Sequence, residues 1–273
     1  MNDENDDLSR WVEKAQRGDR EALDHILDGA SQLVYRLAIR MLGDPEDARD
    51  ASQEILIRIA SGIGSFRGES AFRTWVYRVA SNHLLTARKR RAEEATQSFD
   101  EVASFLDAGI AADLPPVEEQ ALVTEAKAVC NARMLLCLDR DHRLAFILGE
   151  ILDLSSEEGA EILGVSSDAF RKRLSRARER MEEFVDARCG VVHPERPCRC
   201  AKVAALGVQA GKLHLTQLHW ATLPGRERHG APDIDRLRTA VEMFRAHPDY
   251  AAPETLARGV REVLQATEHA RTP

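Results

Sequence analysis

Aromatic residues are scarce in this sequence, 5% of 273 positions with three Trp and three Tyr, which weighs against an all-β sandwich. Long apolar runs are missing too, so no segment offers a membrane span. The opening residues Asn2, Asp3, Glu4, Asp6 and Asp7 are acidic where a secretory signal is basic, so no export is expected. Cysteine is confined to five positions, and without export the expectation is reduced thiols in the cytoplasm. Cationic excess is also lacking: the net charge of −7 would by itself discourage a nucleic-acid partner. What is present, 44% hydrophobic and 30% charged residues, can build cores and excludes wholesale disorder. The length suits two or three units.

The distribution of charge points the other way and favours nucleic acid. From Arg67 to Arg91 seven basic residues face one acid, Glu69, and from Arg171 to Arg180 six face Glu179. Between them, Ala92 to Ala126 holds nine acids and no Lys or Arg. Two basic blocks kept apart by an acidic stretch suggest two separate polyanion contacts. Asp100-Glu101, Gly109 and Pro115-Pro116 with weak periodicity predict a flexible linker over residues 92–116, carrying at most a short helix near Val102 to Leu106.

The remainder reads as helix, giving an all-α class with two small helical domains, residues 8–91 and 117–188, and a helical extension over 189–273. Leu23, Ile26, Leu27, Ala30, Leu33, Val34, Leu37 and Met41 follow helical spacing. Gly43 stops that helix, and Asp44-Pro45 caps and opens the next, which ends before Gly62-Ile63-Gly64. A third begins near Ser70, with Phe72, Trp75, Val76 and Val79 on one side. In the second unit, Ser155-Ser156-Glu157-Glu158 is a capping signal for a short helix to Leu163. Gly164-Val165-Ser166 turns the chain into a long basic helix with Phe170, Leu174, Ala177, Met181 and Phe184 inside.

A short helix, a glycine turn and a basic helix make a helix-turn-helix, whose second helix enters the major groove. Its first turns must present side chains to base edges while flanking cations hold phosphates. Ser167, Asp168, Arg171, Lys172 and Ser175 are placed for bases, and Arg173, Arg176 and Arg178 for phosphates. Between Ser65 and Arg78 aromatics alternate with arginines, a composition suited to unpaired bases and their backbone. An ordinary core helix explains Phe72, Trp75 and Val79 equally well.

These units resemble the extracytoplasmic-function (ECF, group 4) sigma factors of bacterial RNA polymerase. Asp47-Ala48-Arg49-Asp50-Ala51-Ser52-Gln53-Glu54 is similar to the family helix that docks on the polymerase clamp helices, which implies polymerase-binding roles for Asp47, Asp50, Gln53 and Glu54. Phe66-Arg67-Gly68-Glu69-Ser70 and Phe72 to Ala80 with Asn82 resemble the block that captures and melts the −10 element. That implies DNA contacts from Arg67, Arg73, Trp75, Tyr77, Arg78, Asn82, Arg88 and Lys89. Glu157 to Ser166 and Arg173 to Glu179 are similar to the domain that reads the −35 element. Departures fall at Arg49, Ala51 and Ser52 in the docking helix, at Gly159 where Ile is usual, and at Phe170 and Lys172 where Val and Ser are usual. The implied partners are core RNA polymerase through its clamp helices and flap region, promoter DNA in double- and single-stranded form, and an anti-sigma factor where one exists; no membrane is implied.

Beyond the resemblance, Cys189, His193, Cys198 and Cys200 could form a tetrahedral zinc site, although C-x-C spacing suits a thiol or copper sensor as well. No cofactor is otherwise required. Cys130 and Cys137 read as core thiols, and helices are expected over 201–213, 234–245 and 253–268. The stripe Leu256, Val260, Val263 and Thr267 gives the last of these its apolar face. No nucleophile–base pair, phosphate loop or carboxylate pair stands out, so an enzyme has no residue-level support. A helix-turn-helix regulator acting without polymerase and a metal- or thiol-sensing regulator stay open as alternatives.

Overall fold

The computed structural model describes residues 11–87, 98–111, 116–222, 225–226, 239–245 and 249–269. The first unit holds α1 (Arg20–Leu42), α2 (Pro45–Gly62) and α3 (Phe72–Thr86). Asp19 caps α1 and Asp44 caps α2 through the amides of Glu46 and Asp47, with Pro45 at the first helical position. Gly43 closes α1 in the left-handed region at φ 67°, which a side chain would strain. A 3₁₀ turn, Ile63–Ser65, separates α2 from the loop before α3. Gln16 pins that turn, its Nε2 donating to the carbonyls of Ile63 and Phe66.

The acidic stretch contains more structure than its composition suggests. A 13-residue helix, α4 (Phe99–Ala111), takes the place of the short helix expected near Val102 to Leu106. Ala103 and Leu106 are buried, and Phe99 packs on Phe184 with ring centroids 5.2 Å apart. Helix formation here gathers apolar residues on one side, which the weak overall periodicity of the stretch concealed.

The second unit comprises α5 (Gln120–Leu136), α6 (Arg140–Phe146), a π-helical turn (Ile147–Ile151), α7 (Ser156–Leu163) and α8 (Ser167–Arg188). The expected capping box is formed: Ser155 accepts from the Glu158 amide while Glu158 accepts from the Ser155 amide. Gly164 is left-handed at φ 63° and Ser166 caps α8, the turn and cap that the sequence signals. The extension adds α9 (Cys200–Gln209), α10 (Ala240–Arg245) and α11 (Glu254–His269). Its only sheet among the described residues is a two-residue antiparallel pair, Gly225–Arg226 with Asp249–Tyr250. The expected start of α10 at Ile234 and its face residue Leu237 lie outside the described residues.

One apolar cluster runs through both units and into the extension. Arg143 lies at the joint, 3% exposed, donating to the Met41, Leu136 and Leu138 carbonyls, so α1 and the end of α5 share a buried cation. Helix α3 rests against α7, the first helix of the helix-turn-helix. The extension is tied down through Glu125 on α5, 2% exposed, which accepts backbone N–H bonds from His219, Trp220 and Ala221 at 3.0, 2.8 and 2.7 Å. A carboxylate taking three amides satisfies itself and fixes the loop at once.

Candidate nucleic-acid and polymerase interface

Helix α8 is a buried stripe with a charged circumference. Phe170, Ala177, Met181, Phe184 and Val185 face inward, while Asp168, Arg171, Lys172, Ser175 and Arg176 are exposed and Ser167 is half-buried. Its first turn presents Asp168 beside Lys172 at 2.9 Å and Arg171 at 3.8 Å. The Lys172 hydrogen bond holds the Asp168 carboxyl below the usual range. These are local, solvent-screened pairs that a competing phosphate or base can replace.

Two departures from the family pattern explain each other here. A Cβ on Gly159 would lie 2.3 Å from the tip of the Phe170 ring. The fully buried ring therefore fills the space of the missing side chain, and α7 approaches α8 closely because one position is empty and the other large.

Two α8 cations expected to hold phosphates are engaged elsewhere. Arg173 pairs with Asp141 at 3.0 Å. Arg178 forms a short ion pair with Glu150, its Nε also 3.0 Å from the same carboxylate oxygen. Glu150 belongs to the π turn and is buried; α10 completes its shell, with Arg245 donating to the Glu150 carbonyl at 2.6 Å and lying 3.2 Å from Asp153. Arg178 thus braces the π turn in this conformation, and the phosphate role read from its spacing would require it to leave Glu150.

On α3 and the loop before it the expected DNA residues divide by exposure and by partner. Arg67 and Asn82 are exposed. Arg73 reaches Glu158 at 3.2 Å, and Arg78 donates to the Glu161 carbonyl and carboxylate at 3.0 and 3.1 Å, so both point onto α7. Tyr77, expected to contact DNA, is 4% exposed and supports α3 from inside in this conformation. Trp75 is half-buried, between Phe72 at 5.5 Å and Phe66 at 5.7 Å, closing an aromatic group under the loop. Arg88 and Lys89 lie outside the described residues.

Helix α2 buries Ala48, Ala51, Ser52, Ile55, Leu56 and Ile59. Asp50 and Glu54 are exposed, Asp47 and Gln53 half-buried, and Glu54 lies 3.5 Å from His83 of α3. Ala51 and Ser52, which depart from the family pattern, both face inward, whereas Arg49, the third departure, is exposed and sets a cation beside Asp50.

The Cys₃His zinc set is not assembled. His193 turns to Asp186 at 3.0 Å and Glu195 at 3.7 Å, and no group of three ligating side chains able to hold a metal occurs among the described residues. The three extension cysteines instead line an apolar cavity of about 250 Å³, joined by Cys130 of α5 and by Met134 and Met243. Burial pushes the Cys198 thiol up to about 12 and raises those of Cys130 and Cys200. The thiols of Cys130, Cys198 and Cys200 are held protonated in the cavity wall, and Cys130 could be placed there only by the fold, since it is far from the others in sequence.

Comparison with known proteins agrees with this geometry. Residues 28–94 match the Sigma-70 region 2 model and residues 130–181 the Sigma-70 region 4 model. The chain is 32% identical over 176 residues to the RNA polymerase sigma-H factor of Pseudomonas aeruginosa, covering 63% of this chain and 90% of that protein. It is also 32% identical over 177 residues to the ECF RNA polymerase sigma-E factor of Escherichia coli K12, covering 64% of this chain and 92% of that one. Among solved structures, CnrH in complex with the cytosolic domain of CnrY has a TM-score of 0.46 at 23% identity, over 65% of this chain and 96% of that one. The two matched regions contain α2 with α3 and α7 with α8, in that order, and the chain belongs to the extracytoplasmic-function family of RNA polymerase sigma factors.

Proposed function

We propose that this chain binds core RNA polymerase and directs it to promoters, with α2 docking on the clamp helices, α3 holding the opened −10 strand and α8 reading the −35 element. The carrying observation is the coexistence of an exposed acidic face on α2 with a capped helix-turn-helix whose recognition helix offers Arg171 and Lys172. A duplex-only regulator has no use for the first of these. The flap region and an anti-sigma factor complete the proposed partners, and the extension is proposed to modulate activity. We retain the division into units at 8–91, 117–188 and 189–273, the first two able to separate, as part of this proposal.

Multi-promoter in vitro transcription with purified core enzyme tests the reading. Discrete start sites that depend on the chain are expected, with sequence preference relaxed by Arg171→Ala. Duplex binding without polymerase-dependent initiation on any template would favour the regulator instead.

A further inference from the structure

Part of the α2 surface expected to meet polymerase is already covered, at Gln53, while Asp50 and Glu54 beside it stay exposed. Helix α11 packs across α2 and α1, with Leu256, Ala257 and Val260 buried and Leu264 half-buried beneath it. Val263, expected on the same stripe, is 41% exposed and Leu264 takes its place, because the stripe follows the 3,4 spacing from Val260. A Cβ on Gly259 would stand 3.6 Å from Gln53 Nε2, so the α11 backbone passes directly over one of the expected polymerase-binding residues.

Electrostatics fix the position. Arg261 bridges two carboxylates of α1, with Nε 2.9 Å from Asp24 and Nη2 2.5 Å from Asp28. Just before the helix, the Ala252 amide donates to Gln32 on α1 at 3.1 Å. The latching contacts thus come from charged and polar groups around an apolar centre, an arrangement that salt, competition or a moved anchor can release.

We propose that α11 is a resident occupant, within the same chain, of the polymerase-docking surface, and that core polymerase must displace it to bind. The inference rests on the assignment of α2 as the docking helix. It assigns the extension a physical mode of control: the population in which α11 is away from α2 sets the apparent affinity for core enzyme.

The test uses the full-length chain and purified core polymerase. Val260→Asp places a charge at a fully buried position of α11, and Arg261→Glu sets like charges against Asp24 and Asp28. Hydrogen exchange over residues 254–269 reports release of the helix. Release should come with tighter core binding, about tenfold for Val260→Asp and about threefold for Arg261→Glu, since removal of a closed population raises apparent affinity in proportion. Restoring opposite charge with Asp24→Lys and Asp28→Lys in the Arg261→Glu background should return the affinity towards wild type. A released helix with unchanged or weaker core binding overturns the inference, as does an α11 that neither substitution releases. Asp50→Arg with Glu54→Arg separates docking from occlusion: core binding that ignores this pair removes the docking assignment itself, and the inference with it.

Discussion

Helix α3 carries two cations, Arg73 and Arg78, and α8 a longer run from Arg171 to Arg180, and the fold treats the two helices differently. On α8, Arg171 and Lys172 pair with Asp168 on their own helix, in solvent. On α3, Arg73 and Arg78 are bound across to Glu158 and Glu161 of α7. The first turn of α8 is presented, while Arg173 and Arg178 further along it, like Arg73 and Arg78 of α3, are paired with other elements. A charge run therefore establishes that a surface can meet a polyanion, while the carboxylates opposite decide whether it is free to do so.

The largest expected contrast concerns support for the two helices. Phe170 is fully buried between α7 and α8, and Phe170→Ala should cost about 3–5 kcal/mol in urea denaturation. Trp75 is half-buried, and Trp75→Ala should cost about 1–2 kcal/mol, chiefly from lost aromatic contacts. Equal losses would mean that α3 is as firmly seated as α8.

Next in size is the packing exchange at Gly159. Gly159→Ala improves helix propensity but brings a methyl against the Phe170 ring, and should destabilise by about 1–3 kcal/mol. Adding Phe170→Val should recover most of this loss, a coupling read from a double-mutant cycle. Additive effects would show that the ring and the glycine are not compensating.

Freeing α3 without touching it sharpens the comparison further. Glu158→Gln keeps a capping-box acceptor while removing charge, and Glu161→Gln removes the charge opposite Arg78, leaving only the carbonyl bonds. Binding of single-stranded −10 oligonucleotide should strengthen about 3- to 10-fold at low salt, with the gain fading as salt rises. Asp168→Asn on α8 should change that binding little.

The smallest effect is alkaline. Folding raises the thiols of Cys198 to about 12 and Cys137 to about 11, so above about pH 9 the unfolded chain loses protons that the folded chain keeps. Stability is then fully present below pH 9 and falls as pH rises towards 12, a slope that Cys198→Ala should flatten in thermal melts. An unchanged slope would show that this thiol is not desolvated.

Sequence and structure agree where the signals were local. Asp44-Pro45, Gly43, Ser155 with Glu158, Gly164 and Ser166 all terminate or open helices as their chemistry dictates, because a cap needs only its own neighbours. Of the site residues read from sequence, Asp50 and Glu54 on α2 and Asp168, Arg171, Lys172, Ser175 and Arg176 on α8 are exposed. What escaped was long-range partnership. Arg178 with Glu150, Arg73 with Glu158, Glu125 with the loop at 219–221 and Arg143 with Met41 each join residues tens of positions apart. Gly159 and Phe170 read separately as two departures, and only their contact shows them to be one. The cysteines divided in the same way: spacing drew His193 to them, whereas the fold supplied Cys130 instead.

The proposed separation of the first two units requires that α3, held against α7 in the free chain, moves away from it when core polymerase binds. Fluorescent amino acids at the exposed positions Thr86 of α3 and Glu157 of α7 report that separation by energy transfer without using the five native cysteines. A short separation is expected in the free protein, lengthening when core polymerase binds, together with the onset of promoter-dependent transcription. An unchanged separation in a complex that initiates transcription would contradict it.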